Sequence, residues 1–428
     1  MVKHAASLAL PTTARCTAAL RIAMLTHSVN PRGGVVHALS LSEHLHALGH
    51  DVTLFAPDPR AQGLFRKSGC HFQALDTPME ASGIVERVRQ GIDAYVQYFR
   101  TSDIGQFDIY HAQDSISANA LADLVERGTI PSYIRTIHHL DHFEDPQLAA
   151  WQERGYRQAA QRLCVSRTWQ DLLAREHGVT AECVGNGVDT RRYSAVPAAR
   201  DEVVRRRYGL TGSPVFLTVG GLESRKNTLT LIDAFSKVRS VLPDAQLVIA
   251  GGASVLDHAT YQNACRDLLA AHGLLPSRAS DSAPRRQQCR TTGTDDAPPP
   301  VLITGTVADA DMPSLYRCAD AFVFPSLKEG FGLVVLEAMA SGLPVVVSQI
   351  PPFTEYLDRE TCAWVDPLDS TGIARVLCDV IASPQRDARI VAGMRRSADF
   401  SWQASAERHD SLYRRYLETN RTQEMLDA

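Results

Sequence analysis

The feature that most constrains this chain is an alternation of short apolar runs with longer stretches of helical spacing, repeated almost from end to end. In the first half the runs are Arg21–His27, Asp51–Phe55, Phe107–Tyr110, Tyr133–Ile137 and Leu163–Val165. Between the first two, Val35, Ala38, Leu41, Leu45 and Leu48 share one face of a helix, and Gly49 is placed to end it in a left-handed turn. Strand, helix and strand at this spacing make a βαβ unit, which predicts a parallel sheet with right-handed crossovers. After an Arg-rich polar stretch, Thr190–Gly212, the pattern restarts with Pro214–Val219, Gln246–Ala250, Val301–Thr304, Ala321–Phe324 and Pro344–Val347. The expectation is an α/β protein of two doubly wound sheets facing a cleft, because such sheets bind ligands beyond the carboxyl ends of their strands.

A length of 428 residues fits that division, being too great for one core. The expected parts are an N-terminal extension over 1–20, a first domain over 21–195, a second over 196–400 and a terminal helix over 401–428. Ser401-Trp402-Gln403 opens that helix, whose Tyr413, Tyr416 and Leu417 need a surface to cover; crossing back onto the first domain would tie the two together. The segment 276–300 holds five prolines and hardly an apolar residue, so it reads as a flexible surface insertion. A formal charge of −4 argues against a nucleic-acid binder. Nine cysteines without a CxxC pair indicate neither a zinc site nor a disulfide framework and fit a reducing cytoplasm. Met1–Leu20 makes a poor leader, and no apolar stretch is long enough to span a bilayer, which leaves peripheral membrane contact open. The amphipathic stretch Ile84–Arg89 suits a solvated helix as well as a lipid-facing one.

Four groups of residues should reach the cleft, along with one longer block. Pro31-Arg32-Gly33-Gly34 joins the first strand to its helix; two glycines let a ligand approach a helix N-terminus, where an anion is favoured, although a purely structural turn reads the same. Gly220-Gly221-Leu222-Glu223-Ser224-Arg225-Lys226 follows the first strand of the second half. There Arg225 offers a planar fork and Lys226 a point charge to a diphosphate, the alternative being a solvated basic loop. His111 and the pair His138-His139 follow strands of the first half; their spacing matches no familiar zinc motif, so no metal is expected, and a histidine facing substrate competes with a structural one. Gly185-Asn186-Gly187 is a turn close to the crossing between the halves. Asp309-Ala310-Asp311 resembles a metal-binding carboxylate pair in spacing, yet it precedes Met312-Pro313 and reads as a helix cap. The longer block, Lys328-Glu329-Gly330-Phe331-Gly332-Leu333 through Glu337, turns from strand into helix. Its free amides suit a phosphate, and its two carboxylates, eight positions apart, suit hydroxyls further along a nucleotide sugar.

In this order the motifs resemble glycosyltransferase family 4, retaining enzymes with the GT-B fold of two Rossmann-like domains and a C-terminal helix crossing back. Glu329 and Glu337 match its paired-glutamate signature; Cys164-Val165-Ser166 and Asn186-Gly187-Val188-Asp189 look like its landmarks. The opening, Leu25–Gly34, is similar to a subgroup of unestablished acceptor. The resemblance implies a UDP- or GDP-linked sugar as co-substrate, with no other cofactor, and an unidentified acceptor. Arg225 and Lys226 would hold the diphosphate with help from Gly33, Gly34 and the turn Gly330, Phe331, Gly332 and Leu333. Glu337 would take the ribose, Glu329 the sugar hydroxyls, and His138 would approach the reacting side; Lys226, Glu329 and His138 are the catalytic candidates, with Asn186 and His111 as further ones. Two departures stand out: Gly221 replaces an Arg common in the family, and His139 replaces an Asp. A nucleotide-sugar epimerase, a phosphorylase on the same architecture and a non-catalytic nucleotide-sugar binder are the competing readings. The first would need carboxylates placed for elimination, and the familiar phosphorylase a cofactor-binding lysine motif, neither of which is seen.

Overall fold

The computed structural model describes residues 18–78, 81, 83–102, 105–252, 259–275 and 299–427, with side chains to 422. The expected extension and insertion therefore lie outside the described residues except for 18–20 and 299–300. Two sheets are present, and every strand pairing in them is parallel. The first contains β1 (Arg21–Leu25), β2 (Asp51–Pro57), β3 (His71–Leu75), β4 (Ile109–Ala112), β5 (Ile134–Ile137), β6 (Gln161–Cys164) and β7 (Glu182–Cys183). Its order is β3-β2-β1-β4-β5-β6-β7. The second contains β8 (Val215–Val219), β9 (Gln246–Ala250), β10 (Val301–Gly305), β11 (Ala321–Phe324), β12 (Val345–Ser348) and β13 (Ala363–Val365), in the order β10-β9-β8-β11-β12-β13. Strands buried on both faces, such as β4, β5, β9, β11 and β12, explain why these segments read as continuous apolar runs.

Three strands have no counterpart among the predicted runs: β3, β7 and β13. Each is a sheet edge or near-edge piece; β3 is half polar, while β7 and β13 have only two and three residues. The run predicted over Phe107–Tyr110 starts two residues later, because Ile109 is the residue that pairs with Ile22 of β1. The polar stretch Thr190–Gly212 also carries a helix, Ala199–Arg207, with one buried residue, Val204.

The first helix runs over Gly33–Ala47 and buries Val35, Ala38, Leu39, Leu41 and Leu45; Gly49 follows at φ 98°. The helix Ile84–Thr101 turns Ile92, Tyr95, Val96 and Phe99 into the core, packed with residues of the Ser115–Glu126 helix. The last helix, Trp402–Asp427, crosses back onto the first sheet, where Ala406, Leu412 and Tyr413 share a core with Ile22, Met24 and Leu41. Among the described residues no helix is long and apolar enough to cross a membrane. In both sheets the strand order reverses at one place, between β1 and β4 and between β8 and β11, and the loops after β1 and β8 line one cavity and are bridged by Arg32 and Glu223.

Candidate functional site

On the first-half side, Arg32 caps the Gly33–Ala47 helix without a side-chain bond, so the first-turn amides have no partner from the cap. A side chain at Gly33 would meet nothing within 4 Å, whereas one at Gly34 would touch the His138 ring at 3.4 Å. His138 leaves the end of β5, and its Nε2 lies 3.0 Å from Oε1 of Gln113 at the end of β4. His37, one turn into the helix, stands edge-on to His138 at 4.7 Å and is held by Asn186 Oδ1, 2.5 Å from its Nδ1. Burial pushes His37 down to about 4 against that hydrogen bond, and it drives His138 and His111 well below the ordinary histidine range. Asn186 thus acts on His37 rather than facing the cleft. His111 is fully buried between Thr136 Oγ1 and the Tyr413 hydroxyl, each 2.7 Å away, so it is part of the core.

On the opposing side, the loop after β8 tightens into a single turn, Ser224–Lys226, closed by Asn227 at φ 60°. The Asn227 amide donates to the carbonyls of Pro325 and Pro367, and Leu327 N–H donates to the Arg225 carbonyl, so the loops after β8 and β11 are stitched together. The stitching brings Lys226 Nζ to 2.6 Å and Arg225 Nη1 to 3.3 Å from Glu329 Oε1, with Arg225 Nη2 3.0 Å from Glu223 Oε2. Lys226 also sits 4.4 Å from the centre of the Phe324 ring. Burial opposes ionisation of Glu329, but Lys226 and Arg225 outweigh it and lower its pKa; burial lowers that of Lys226 despite the pair. At Gly221 φ is +70°, and a Cβ would lie 3.0 Å from the Gly252 carbonyl, so a side chain there would be strained. Lys226 and Arg225 are the cations beside Glu329.

Gly332, at φ 95°, starts the helix Leu333–Ala340, and a Cβ there would lie 2.5 Å from Phe353. Phe331 turns its ring away to stack on Tyr356 at 4.9 Å, leaving its main chain to the turn. Gly330 packs on the His138 carbonyl so closely that a side chain there would overlap it. Glu337 accepts a 2.8 Å bond from the Tyr316 hydroxyl, and burial raises its pKa, the reverse of Glu329. A cavity of about 930 Å³ lies between the halves, lined by Gly33, Gly220, Gly251, Thr306, Leu333 and Glu337 among others. Arg225, Lys226, Glu329 and His138 are not in its lining; the first three are engaged with one another, and His138 with Gln113.

Four side chains that sequence reasoning left without a role close this site. Glu223 takes Arg32 at 3.0 Å across the cleft as well as Arg225. The Trp169 indole donates to the Glu329 carbonyl at 3.1 Å, and Lys328 Nζ donates to the Leu140 carbonyl at 2.8 Å. Glu355 accepts from the Arg167 and Thr168 amides at 3.0 and 2.6 Å. Glu223 and Lys328 carried a local signal, their places beside Arg225 and Glu329; the contacts of Trp169, Lys328 and Glu355 join residues more than 150 positions apart. The cap expected at Asp311 is a correction: no side-chain cap bond forms, because Arg200 and Arg207 take its carboxylate, and Asp309 pairs with Arg192 at 2.6 Å. Among the described residues no group of three or more His, Cys, Asp or Glu is arranged to hold a metal ion.

A family model described as Glycosyltransferase Family 4 matches residues 31–192, and one described as Glycosyl transferases group 1 matches 201–396. The chain is 31% identical over 250 residues to a GDP-mannose-dependent alpha-(1-6)-phosphatidylinositol monomannoside mannosyltransferase from Mycolicibacterium smegmatis, covering 56% of this chain and 57% of that protein. It is 32% identical over 183 residues to mannosylfructose-phosphate synthase from Agrobacterium fabrum, covering 42% of this chain and 35% of the other. The chain thus spans roughly half or less of the length of these two relatives. Among solved structures, sucrose-phosphate synthase from Thermosynechococcus elongatus superposes with a TM-score of 0.72 at 20% identity, over 93% of this chain and 99% of that one.

Proposed function

The chain belongs to glycosyltransferase family 4, and from that premise we propose that it moves a hexosyl unit from a GDP- or UDP-linked sugar to an acceptor hydroxyl, retaining the anomeric configuration and using no metal ion. The observation that carries this reading is the pair of cations at the carboxyl end of β8, Arg225 and Lys226, held against Glu329 at 3.3 and 2.6 Å. A donor diphosphate replaces Glu329 as their counter-ion and releases that carboxylate to the sugar hydroxyls. The amides at Gly33, Gly34 and Gly330 to Leu333 complete the anion site, and Glu337, beside Tyr316, receives the ribose. GDP dependence in a relative's name favours a guanine donor.

Breaking the bond between the anomeric carbon and the phosphate oxygen builds positive charge on the sugar and negative charge on the leaving diphosphate. Lys226 and Arg225 stabilise the second charge, the kind of preorganised electrostatic term that dominates many enzymes. The departing phosphate oxygen takes the acceptor's proton as that hydroxyl attacks from the same face. His138, held neutral, approaches the sugar without adding a cation where positive charge develops. The test is nucleotide release from GDP-, UDP- and ADP-hexoses in the presence of a chelator. Release from one donor, lost in Glu329→Ala, supports the reading; binding without release in the wild type replaces it with a non-catalytic binder.

A further inference from the structure

The contact between His138 and Gln113 is one end of a longer chain of hydrogen bonds. Gln113 is 2% exposed, and its amide divides itself among three neighbours. Its Nε2 lies 3.0 Å from the Met24 sulfur and 3.3 Å from His111 Nε2, while its Oε1 lies 3.0 Å from His138 Nε2. A thioether sulfur only accepts, so the amide nitrogen belongs on the Met24 side and the oxygen on the His138 side. An amide oxygen cannot donate. A neutral His138 therefore carries its one ring proton on Nε2 and keeps its lone pair on Nδ1. Burial and the neighbouring His37, Arg135, His139 and His111 all disfavour a second proton.

His111 carries the chain onward. Its Nε2 is also 2.7 Å from Thr136 Oγ1, and its Nδ1 is 2.7 Å from the Tyr413 hydroxyl. Tyr413 is fully buried and belongs to the returning C-terminal helix. The same helix reaches the histidines by a second route, since Trp402 stands edge-on to His37 at 5.3 Å and His37 stands edge-on to His138. The helix that closes the first domain thus touches both sides of the candidate catalytic histidine through one intermediate residue or two.

We infer that Gln113 is a positioning residue that fixes His138 in its Nε2–H form, and that the C-terminal helix holds Gln113 in that setting through Tyr413 and His111. The inference rests on the proposed role of His138 for its importance to turnover, but not for its geometry. The partner of one ring nitrogen fixes where the imidazole carries its proton and so decides what the other nitrogen can do.

The experiment uses the full chain labelled with nitrogen-15 histidine, with the His138 signals assigned by their loss in His138→Gln. The wild type shows a protonated Nε2 and an unprotonated Nδ1. Gln113→Met keeps the side-chain length and removes the acceptor, and it mixes the two tautomers. Tyr413→Phe removes one hydroxyl and does the same to a smaller extent. In nucleotide release, Gln113→Met lowers kcat about 10-fold with little change in the donor KM, as loss of an outer partner of a functional group does. A wild-type His138 protonated on Nδ1, or a nitrogen pattern unchanged in both variants, overturns the inference. If Gln113→Met does not fold, the wild-type pattern and Tyr413→Phe decide it. Full turnover in His138→Ala would sink the role given to His138, while the nitrogen shifts still judge the chain.

Discussion

Just behind the residues that line the cavity, the two walls of the cleft are built of opposite materials. The first-half wall is a set of imidazoles, His37, His111 and His138, held by uncharged partners: Asn186, Gln113, Thr136 and Tyr413. The second-half wall is a set of full charges, Glu223, Arg225, Lys226 and Glu329, which neutralise one another. Burial decides both, by different routes: an imidazole can give up its charge near neutral pH, whereas a lysine and a glutamate held at contact keep theirs by pairing. For a reaction that separates charge along one bond, the arrangement has a direction. Under the proposed function, Arg225 and Lys226 face the leaving diphosphate, and His138, whose protonation burial disfavours, adds no cation on the sugar side.

The largest blow to this contrast is Lys226→Ala. It removes the cation closest to Glu329 and leaves a carboxylate that is 8% exposed with Arg225 alone. Nucleotide release is expected to fall about 10²–10³-fold, the usual cost of one preorganised group facing transition-state charge. A loss below about tenfold would mean that the second wall does not carry the leaving group.

Acid sharpens the contrast, because the walls fail in different windows. His37 is held at about 4 and His409, which packs beside it from the last helix, at about 3, both from 6.5, mainly by burial. The unfolded chain takes up these protons first, so stability declines as pH falls below 6.5, by about 2 kcal/mol for each of the two histidines between pH 6.5 and 5. Glu329, whose pKa is lowered, loses its contribution only as pH falls below the ordinary carboxylate value and on through its own. Urea unfolding at several pH values should therefore show a first decline that His37→Gln reduces and that Glu329→Gln leaves in place.

The smallest effect is expected from Arg32→Ala, which cuts the 3.0 Å pair with Glu223 that bridges the walls. Arg32 keeps 26% of its side chain exposed, so thermal unfolding should register less than ~1 kcal/mol. A larger loss would show that the walls are bound to one another more tightly than the rest of the contrast implies.

Much of the second wall was legible in the sequence because its groups lie in short, local motifs: Arg225-Lys226 after one strand and Glu329 to Gly332 after another. The first wall was only partly legible. Gly33, Gly34 and His138 announced themselves at strand ends, but the part played by His37 depends on Asn186, 149 positions away, and that of His111 on Tyr413, 302 positions away. Such pairings join segments far apart in the chain, the second through the return of the last helix, and no local pattern encodes them. The same limit hid Trp169 and Glu355, and it sent Asp311 to Arg200 and Arg207 instead of its own helix cap. Edge strands were missed for a different reason: β7 and β13 are too short to show a period.

The measurement that tests the central claim most directly is calorimetric titration of the wild-type protein and Lys226→Ala with GDP, UDP and ADP, in chelator. The account predicts that one nucleoside diphosphate binds the wild type without metal and binds Lys226→Ala at least about tenfold more weakly. No heat with any of the three, in a protein whose unfolding transition is intact, would contradict the assignment of the charged wall to a donor diphosphate.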